Sequence, residues 1–186
     1  MDICTTEIGS TKDGSNQVIE LKAIKINKDF SEETLCYKAK LYVDGKFFAH
    51  IENEGRGGGD SQFPTDPHTY EDLKKLDEKC KKYLPKWEYS LDAKLDGDTK
   101  KCDTDLEHWC CITLDKYQIY KEYQRDVKGK VLIVDPKEPK KIRQFSWKGV
   151  RKITDRYIQS IRDKFPTYKI LNTESDGFET YYNLLK

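Results

Sequence analysis

Residues 121–169 combine positive charge with aromatic rings, a composition typical of surfaces that bind phosphates and stack on bases. This segment contains 15 lysines and arginines against six aspartates and glutamates, a net charge of +9 in a chain whose net charge is +1. Phe145, Trp147 and Tyr157 lie among the cations. The residues of this segment predicted to contact a partner are Arg125, Lys128, Lys130, Lys140, Lys141, Arg143, Trp147, Lys148, Arg151, Lys152 and Arg156.

The partner predicted for this basic segment is anionic: nucleic acid, a nucleotide-like ligand or an acidic protein surface. Positive charge segregated into one part of a chain steers anionic partners even when the whole chain is nearly neutral. The alternative interpretation is a solvated face in which Asp155 forms local ion pairs with Arg151 or Arg156. No cofactor is expected, and the sequence leaves the oligomeric state open.

A second candidate is the glycine-rich loop GRGGGD, from Gly55 to Asp60. Glycines let backbone N–H groups converge on an anion, so Arg56, Gly57 and Gly58 are predicted partner contacts. The loop lacks the GxxxxGKS/T and GxGxxG spacings of phosphate-binding loops. Two interpretations therefore stay open: a tight structural turn, or a recognition loop in which glycines adopt left-handed backbone angles and Arg56 projects toward a partner.

Four potential metal ligands, His50, Glu52, Asp60 and His68, fall within 19 residues of each other. Because they are two residues apart on a predicted strand, His50 and Glu52 share one face, and the glycine-rich loop could return the other two toward them. This set gives an alternative function, a metal-dependent hydrolase or nuclease.

No other pattern supports an enzyme. The chain contains no GxSxG motif, and no cysteine has a histidine at a spacing typical of a cysteine nucleophile. Residues 134–141, VDPKEPKK, place an acid, a glutamate and a lysine in a nuclease-like order, but their two prolines are expected to break the strand that such a site requires. The preferred prediction is therefore a non-enzymatic binding protein.

Hydrophobic alternation and turn residues predict the elements of the first half. Val18–Ile26 reads as a strand, and Asp44-Gly45 predicts a type I′ turn that joins two strands within residues 33–53. Thr69 and Asp72, at capping-box spacing, predict the start of a helix. The predicted buried stripe of that helix is Leu73, Leu76, Cys80 and Tyr83. The predicted cross-strand pairs are Tyr42 with Phe47, Leu41 with Phe48, Lys40 with Ala49, Ala39 with His50 and Tyr37 with Glu52. Both faces of this arrangement are mixed, which suggests a bulge or partial cover on each side.

A polar connector, residues 85–104, is expected to hold one short strand near Trp87 and to precede a helix that stops at Gly129. A second hairpin, an amphipathic helix that ends near Phe165, a short strand and a terminal helix follow. The predicted fold class is α+β: antiparallel hairpins packed with amphipathic helices. Residues 1–17 are predicted as a flexible lead-in, and residues 18–186 as a single compact domain with sub-units 18–84 and 105–186.

The expected location is cytoplasmic. The N-terminus lacks the basic start and apolar stretch of a signal peptide, and no apolar run approaches the roughly 18 to 20 residues of a membrane span. The six cysteines are therefore predicted to be thiols, with no CxxC pair that indicates zinc and with Cys110 and Cys111 on different sides of a helix.

The hairpin and the glycine-rich loop together resemble small uncharacterised bacterial and phage proteins that share an ETxxYxAxLYxDGK hairpin followed by NxGxGG. A looser likeness extends from Lys130 to Phe165. The resemblance covers about half of the chain and implies no activity, but it suggests an accessory factor or a phage- or mobile-element-type inhibitor that acts by protein–protein contact. The matching residues are Glu33, Thr34, Tyr37, Ala39, Leu41, Tyr42, Asp44, Gly45, Lys46, Asn53, Gly55, Gly57 and Gly58.

Overall fold

The α+β prediction is confirmed by a computed structural model that describes residues 3–10, 16–90 and 99–186. These residues form ten strands and four α-helices, and every strand pair among them is antiparallel. None of these helices has the length and apolar composition of a membrane span. The chain divides into two compact units, Met1–Leu114 and Asp115–Lys186, so the boundary falls inside a helix rather than in the polar connector.

A five-stranded antiparallel sheet, in chain order, is the main element of the first unit. Side chains alternate between its two faces, so one face is buried and the other is open. Ile19, Leu41 and Ile51 on the buried face are 0% exposed. The strands are β1 (Thr5–Ser10), β2 (Asn16–Ile26), β3 (Tyr37–Val43), β4 (Lys46–Asn53) and β5 (Ser61–Pro64).

Strand β1 lies within the segment that was predicted to be a flexible lead-in, so that prediction is wrong for residues 5–10. The strand pairs with β2, and Ile8 is 1% exposed. The indole N–H of Trp109 donates to the Thr6 hydroxyl (2.9 Å). TTEIGS contains one apolar residue, so hydrophobic alternation does not reveal it, and distant partners stabilise the strand instead.

The turn between β3 and β4 has the predicted geometry. Asp44 and Gly45 both have positive φ, 51° and 74°, as a type I′ turn requires. The Asp44 carboxylate also accepts the N–H of Val18 (2.8 Å), which fixes the turn against β2. The hairpin is therefore both locally encoded and tied to its neighbour.

The predicted register of this hairpin holds only next to the turn. Phe48 is a β-bulge, an extra residue without a partner on β3, so every pair beyond it differs by one residue from the prediction. The observed pairs are Tyr42 with Phe47, Leu41 with Ala49, Lys40 with His50, Ala39 with Ile51 and Tyr37 with Asn53. The bulge buries Phe48 and Ala49 in succession and places the pairs Leu41 with Ala49 and Ala39 with Ile51 on the buried face.

Helix α1 (Tyr70–Tyr83) begins at the predicted capping box. The Thr69 hydroxyl accepts the N–H of Asp72 (3.3 Å), and the Asp72 carboxylate accepts the N–H of Thr69 (3.0 Å). The buried residues of the stripe are Leu73, Leu76 and Cys80. Tyr83 is 44% exposed, so the predicted stripe is one residue too long.

A two-stranded ribbon and the start of a long helix complete the first unit. β6 (Trp87–Ser90) confirms the strand predicted in the connector, and it pairs with β7 (Thr99–Cys102), which was not predicted. Helix α2 (Leu106–Gly129) ends at the predicted glycine. The buried residues of α2 are Leu106, Trp109, Cys110, Thr113 and Leu114.

The second unit is organised around β8 (Val131–Asp135), which is buried along its whole length. Alternate residues of a strand point to opposite faces. Val131 and Ile133 therefore belong to one hydrophobic cluster, and Leu132 and Val134 to another. The remaining elements are β9 (Glu138–Phe145), α3 (Asp155–Lys164), β10 (Lys169–Ile170) and α4 (Gly177–Leu185), with sheet order β10-β8-β9.

The two prolines of VDPKEPKK do not break the second hairpin. Pro136 lies between β8 and β9, and Pro139 lies within β9, which is an edge strand. An edge strand tolerates proline because one side of its backbone has no strand partner. The expectation that these prolines exclude a strand is therefore wrong.

Candidate functional site

The aromatic rings of the basic segment pack in the core of the second unit. Phe145, Trp147 and Tyr157 contact the cluster formed around β8, and the rings of Trp147 and Tyr157 lie 4.7 Å apart. These rings are half-buried and part of their surface is taken up by packing on the core. The structure therefore gives these rings a packing role, and contact of Trp147 with a partner stays a prediction.

Four of the predicted cations have carboxylate partners nearby. The Lys130 ammonium lies 3.2 Å from Asp126, and Arg125 contacts the same carboxylate at 3.8 Å. Lys141 and Arg143 both pair with Glu138. Because these charges are compensated locally, they contribute little to attraction at a distance.

The other predicted cations are exposed and form no ion pair within the described part of the chain. Four of them lie between the end of β9 and the first turn of α3, in what is called here the cationic segment. Asp155 does not form the predicted ion pairs with its neighbours. The uncompensated cations are Lys128, Lys140 and the four of the cationic segment, Lys148, Arg151, Lys152 and Arg156.

The cationic segment is fixed to the fold at several points. The N–H of Val150 donates to the Trp147 carbonyl (3.1 Å), and the N–H of Ile153 donates to the Lys128 carbonyl (2.7 Å). The side chain of Ile153 packs on the same core cluster as Trp147. These anchors hold the backbone while the charged side chains point into solvent, and they bring the backbone of Lys128 beside the segment.

The nuclease-like acids of β8 and β9 form a closed charge network. The Asp135 carboxylate accepts the Tyr168 hydroxyl (2.6 Å) and the N–H of Lys137 (2.8 Å), and it lies 3.3 Å from Arg143. Arg143 also pairs with Glu138. The hydrogen bond from Tyr168, then the N–H of Lys137 and the charge of Arg143, hold the pKa of Asp135 below its usual value.

This lowered pKa predicts an acid-sensitive contribution to stability. A carboxylate with a depressed folded-state pKa stabilises the fold above its unfolded pKa of about 4, and that contribution is lost as the pH falls through the folded value. We expect Tyr168→Phe to flatten the decline in the free energy of unfolding between roughly pH 5 and pH 2. Urea unfolding across this range measures the decline, with the exposed Tyr70→Phe as control. Curves for Tyr168→Phe and wild type that run parallel would contradict the assignment.

The glycine-rich loop is built around the side chain of Asn53, which is 9% exposed. Its Oδ1 accepts the Thr34 hydroxyl (2.7 Å) and the N–H of Gly55 (2.9 Å). Its Nδ2 donates to the Gly58 carbonyl (3.3 Å) and to the Asp60 carboxylate (3.1 Å). One amide thus makes four hydrogen bonds and fixes both ends of the loop.

Backbone N–H groups of this loop are occupied by protein acceptors. The N–H of Gly57 donates to the Thr34 hydroxyl (3.3 Å), and that of Asp60 donates to the Glu107 carboxylate (3.1 Å). Carboxylates of Glu33 and Glu107 lie next to Gly57 and Gly59. An occupied N–H group beside negative charge does not favour a bound phosphate, which supports the structural interpretation of Gly57, whereas a partner contact by Gly58 stays a prediction.

Arg56 differs from the glycines beside it. Gly55, Gly57 and Gly58 have φ of 84°, 86° and 90°, so the residues that flank Arg56 adopt left-handed angles. The Arg56 side chain is exposed and has no partner within the described residues. The loop therefore presents Arg56 to solvent, and its role in partner recognition stays a prediction.

The four potential metal ligands do not meet. His50 and Glu52 lie on the open face of the sheet, where His50 pairs with Phe63 across β4 and β5. Asp60 instead contacts Tyr37 and Asn53 on the buried face, and the His68 ring packs on Phe48 (4.4 Å). No group of three or more potential ligands occurs among the described residues, so the predicted metal set is wrong.

Two of the six free cysteines are buried deeply enough to be chemically quiet. Burial raises the pKa of Cys80 to about 12 and that of Cys110 well above its usual value. A thiol with such a pKa is protonated at neutral pH and is a poor nucleophile. Cys111 is exposed and Cys110 is buried, as the prediction of opposite helix sides requires.

The open face of the five-stranded sheet carries a patch that the sequence did not reveal. It is called here the aromatic face and consists of Tyr42, Phe47, His50 and Phe63. Ring centroids of Tyr42 and Phe47 lie 5.4 Å apart, and those of Phe47 and His50 lie 4.9 Å apart. Only the observed register, with its bulge, brings these rings to one face, so the patch follows from the structure rather than from spacing.

Comparison of the chain with protein-family models, with curated proteins and with solved structures found no match. The resemblance of the hairpin and glycine-rich loop to bacterial and phage proteins therefore stays a prediction.

Proposed function

We propose that this chain is a non-enzymatic binding protein for nucleic acid and that the cationic segment contacts phosphates. One observation carries the proposal: four exposed cations within nine residues form no ion pair with the described part of the chain, and Asp155 is the one acid among them. Neighbouring cations such as Lys130 and Arg143 do have carboxylate partners. The contrast indicates a local surface that an external anion can neutralise.

The physical basis is counterion release. Each phosphate that a lysine or arginine neutralises releases condensed counterions from the nucleic acid, which favours binding and makes it sensitive to salt. Arg151 and Arg156 add planar guanidinium groups, which can bind phosphate oxygens in a bidentate manner. A polymer with regularly spaced phosphates can satisfy all four cations at once, which a single small anion cannot.

The packing of the aromatic rings limits what this surface can read. Because Trp147 and Tyr157 pack on the core, the cationic segment is proposed to act through phosphate contacts rather than base contacts. Phosphate contacts position a nucleic acid but carry no sequence information directly. Binding by the second unit is therefore proposed to be independent of sequence.

The proposed location is cytoplasmic. All six cysteines are free, including the neighbours Cys110 and Cys111. Free thiols in such number are typical of a reducing compartment, which supports this part of the proposal.

Reversal of two central cations tests the proposal. We expect Arg151→Glu/Lys152→Glu to weaken binding of a labelled oligonucleotide at least about tenfold at about 50 mM salt, and to make the salt slope shallower by about 1.4 for a single strand. Fluorescence anisotropy measures both. The expected loss reflects two phosphate contacts removed and two repulsive charges introduced.

The matched control is Lys86→Glu/Lys101→Glu, which changes the net charge by the same amount. Both control lysines are exposed and lie in the first unit, where they pair with Asp103 and Glu88. Their reversal is expected to leave the oligonucleotide affinity within about threefold of wild type, because these lysines lie outside the proposed site. The fold should also be retained, since exposed ion pairs contribute little to stability. Equal weakening by the two variants would show a general charge effect and overturn the proposed site.

A further inference from the structure

The register of the five-stranded sheet aligns cations and rings in one row across its open face. Lys22 on β2 lies opposite Lys40 on β3, Lys40 lies opposite His50 on β4, and His50 lies opposite Phe63 on β5. Directly opposite residues on neighbouring strands point to the same face. The row therefore joins two lysines to the aromatic face without interruption.

The rings of this row are open to solvent although the sheet has a well-filled core. The core lies on the other face, where Leu41 and Ile51 are 0% exposed. Phe63 is 44% exposed, and it lies on the edge strand β5. A large exposed ring that does not contribute to the core marks a contact surface when it adjoins other rings.

We infer that the aromatic face binds single-stranded nucleic acid, with bases stacked on Phe47 and Phe63 and with a phosphate bound by Lys40. The inference deepens the proposed function, on which it rests, because it names the form of nucleic acid and a second point of contact. Aromatic side chains stack on every base, and neighbouring lysines bind the backbone that links the bases.

Charge on this face favours an anion. Glu20 and Glu52 flank the rings, but they pair with Lys22 and Lys38 at 2.8 Å each. Lys40 has no carboxylate partner in the described part of the chain, and its ammonium lies 5.0 Å from the centre of the Phe47 ring. The row thus keeps positive charge next to its rings.

The two lysines also cover ring faces in the unbound protein. Lys22 lies over Tyr42 (4.8 Å), as Lys40 lies over Phe47. An exposed cation–π contact contributes less than base stacking on an aromatic ring, so a base displaces the ammonium. The released Lys40 ammonium, on its flexible stem, then reaches a phosphate, and one movement provides both contacts.

Single strands fit this face better than a duplex does. The faces of paired bases are covered by their neighbours in a duplex, so rings on a sheet face can stack on them only if the duplex is unstacked. Unpaired bases can be laid on rings from adjacent strands. Phe47 on β4 and Phe63 on β5 supply such rings.

The test compares Phe63→Ala with Tyr70→Ala in binding of a labelled thymidine homopolymer of about 15 nucleotides and of a duplex of equal length. Tyr70 is the matched control, since it is 66% exposed and lies at the start of α1, away from the open face. We expect Phe63→Ala to weaken single-strand binding about tenfold and duplex binding less than about twofold, and Tyr70→Ala to match wild type.

Phe63→Trp is a second variant that separates loss of the ring from loss of folding. It keeps an aromatic ring at this position, so the affinity for the single strand should be retained, and the homopolymer should quench the fluorescence of the added tryptophan. Single-strand binding by Phe63→Ala equal to that of wild type, or preference of wild type for the duplex, overturns the inference. In both cases the proposed function stands if Arg151→Glu/Lys152→Glu still weakens binding. Absence of any nucleic-acid binding by wild type overturns both the inference and the proposed function. If wild type binds polyglutamate and Phe63→Ala weakens that binding as much as it weakens single-strand binding, the aromatic face is a site for acidic protein instead.

Discussion

Alanine at Gly55 is expected to lower the free energy of unfolding by at least about 3 kcal/mol, because backbone strain and overlap act together. Gly55 has a φ of 84°, where a side chain is strained. A Cβ at this position would overlap the Phe30 carbonyl oxygen and lie 2.8 Å from the Cys36 Cβ. The backbone cannot move aside freely, since the Gly55 carbonyl accepts the N–H groups of Glu32, Glu33 and Thr34.

Gly58→Ala separates the two causes in the same loop. Gly58 has a φ of 90°, but no atom lies within 4 Å of where its Cβ would be. Strain alone should cost about 1 to 2 kcal/mol. Urea unfolding of both variants measures the difference, and equal destabilisation would show that the contacts of Gly55 do not limit the loop.

Asn53→Ala is expected to cost about 3 kcal/mol or more, because it removes four hydrogen bonds and leaves their partners without this amide. Those partners include the Thr34 hydroxyl, in the segment before β3, and the Gly58 carbonyl, in the glycine-rich loop. Asp60 is affected most. Burial raises its pKa, and hydrogen bonds from Tyr37 and Asn53 oppose that rise.

Asn183→Ala is a suitable control, since Asn183 is exposed on α4 and has no side-chain hydrogen bond among the described residues. Its replacement should change the free energy of unfolding by less than about 0.5 kcal/mol. Urea unfolding measures both variants. A loss below about 1 kcal/mol for Asn53→Ala would mean that the network does not organise the loop.

Features set by neighbouring residues could be predicted from the sequence. The Asp44-Gly45 turn and the Thr69 capping box depend on a few adjacent side chains, and both are present. The buried strand β8 is recognisable because its apolar run is bounded by Gly129 and Pro136. Local chemistry determines these elements before any tertiary contact forms.

Features set by distant contacts could not be predicted in the same way. The bulge at Phe48 shifts the hairpin register, and it brings Phe47 and His50 to the face that carries Phe63. Charge compensation in the basic segment also depends on the fold, since Arg143 pairs with acids five and eight residues away, whereas Arg151 pairs with none in the described part of the chain. Composition shows where cations are abundant, but the structure shows which of them are uncompensated.

The salt dependence of oligonucleotide affinity shows whether the cationic segment binds phosphates. If the four cations of the cationic segment contact phosphates, the logarithm of the association constant for a single strand should fall linearly with the logarithm of salt concentration, with a slope of about −3 or steeper. The wild-type chain and a labelled oligonucleotide of about 15 nucleotides suffice for the titration. No binding at about 25 mM salt, or a slope close to zero, would contradict nucleic-acid binding by this surface.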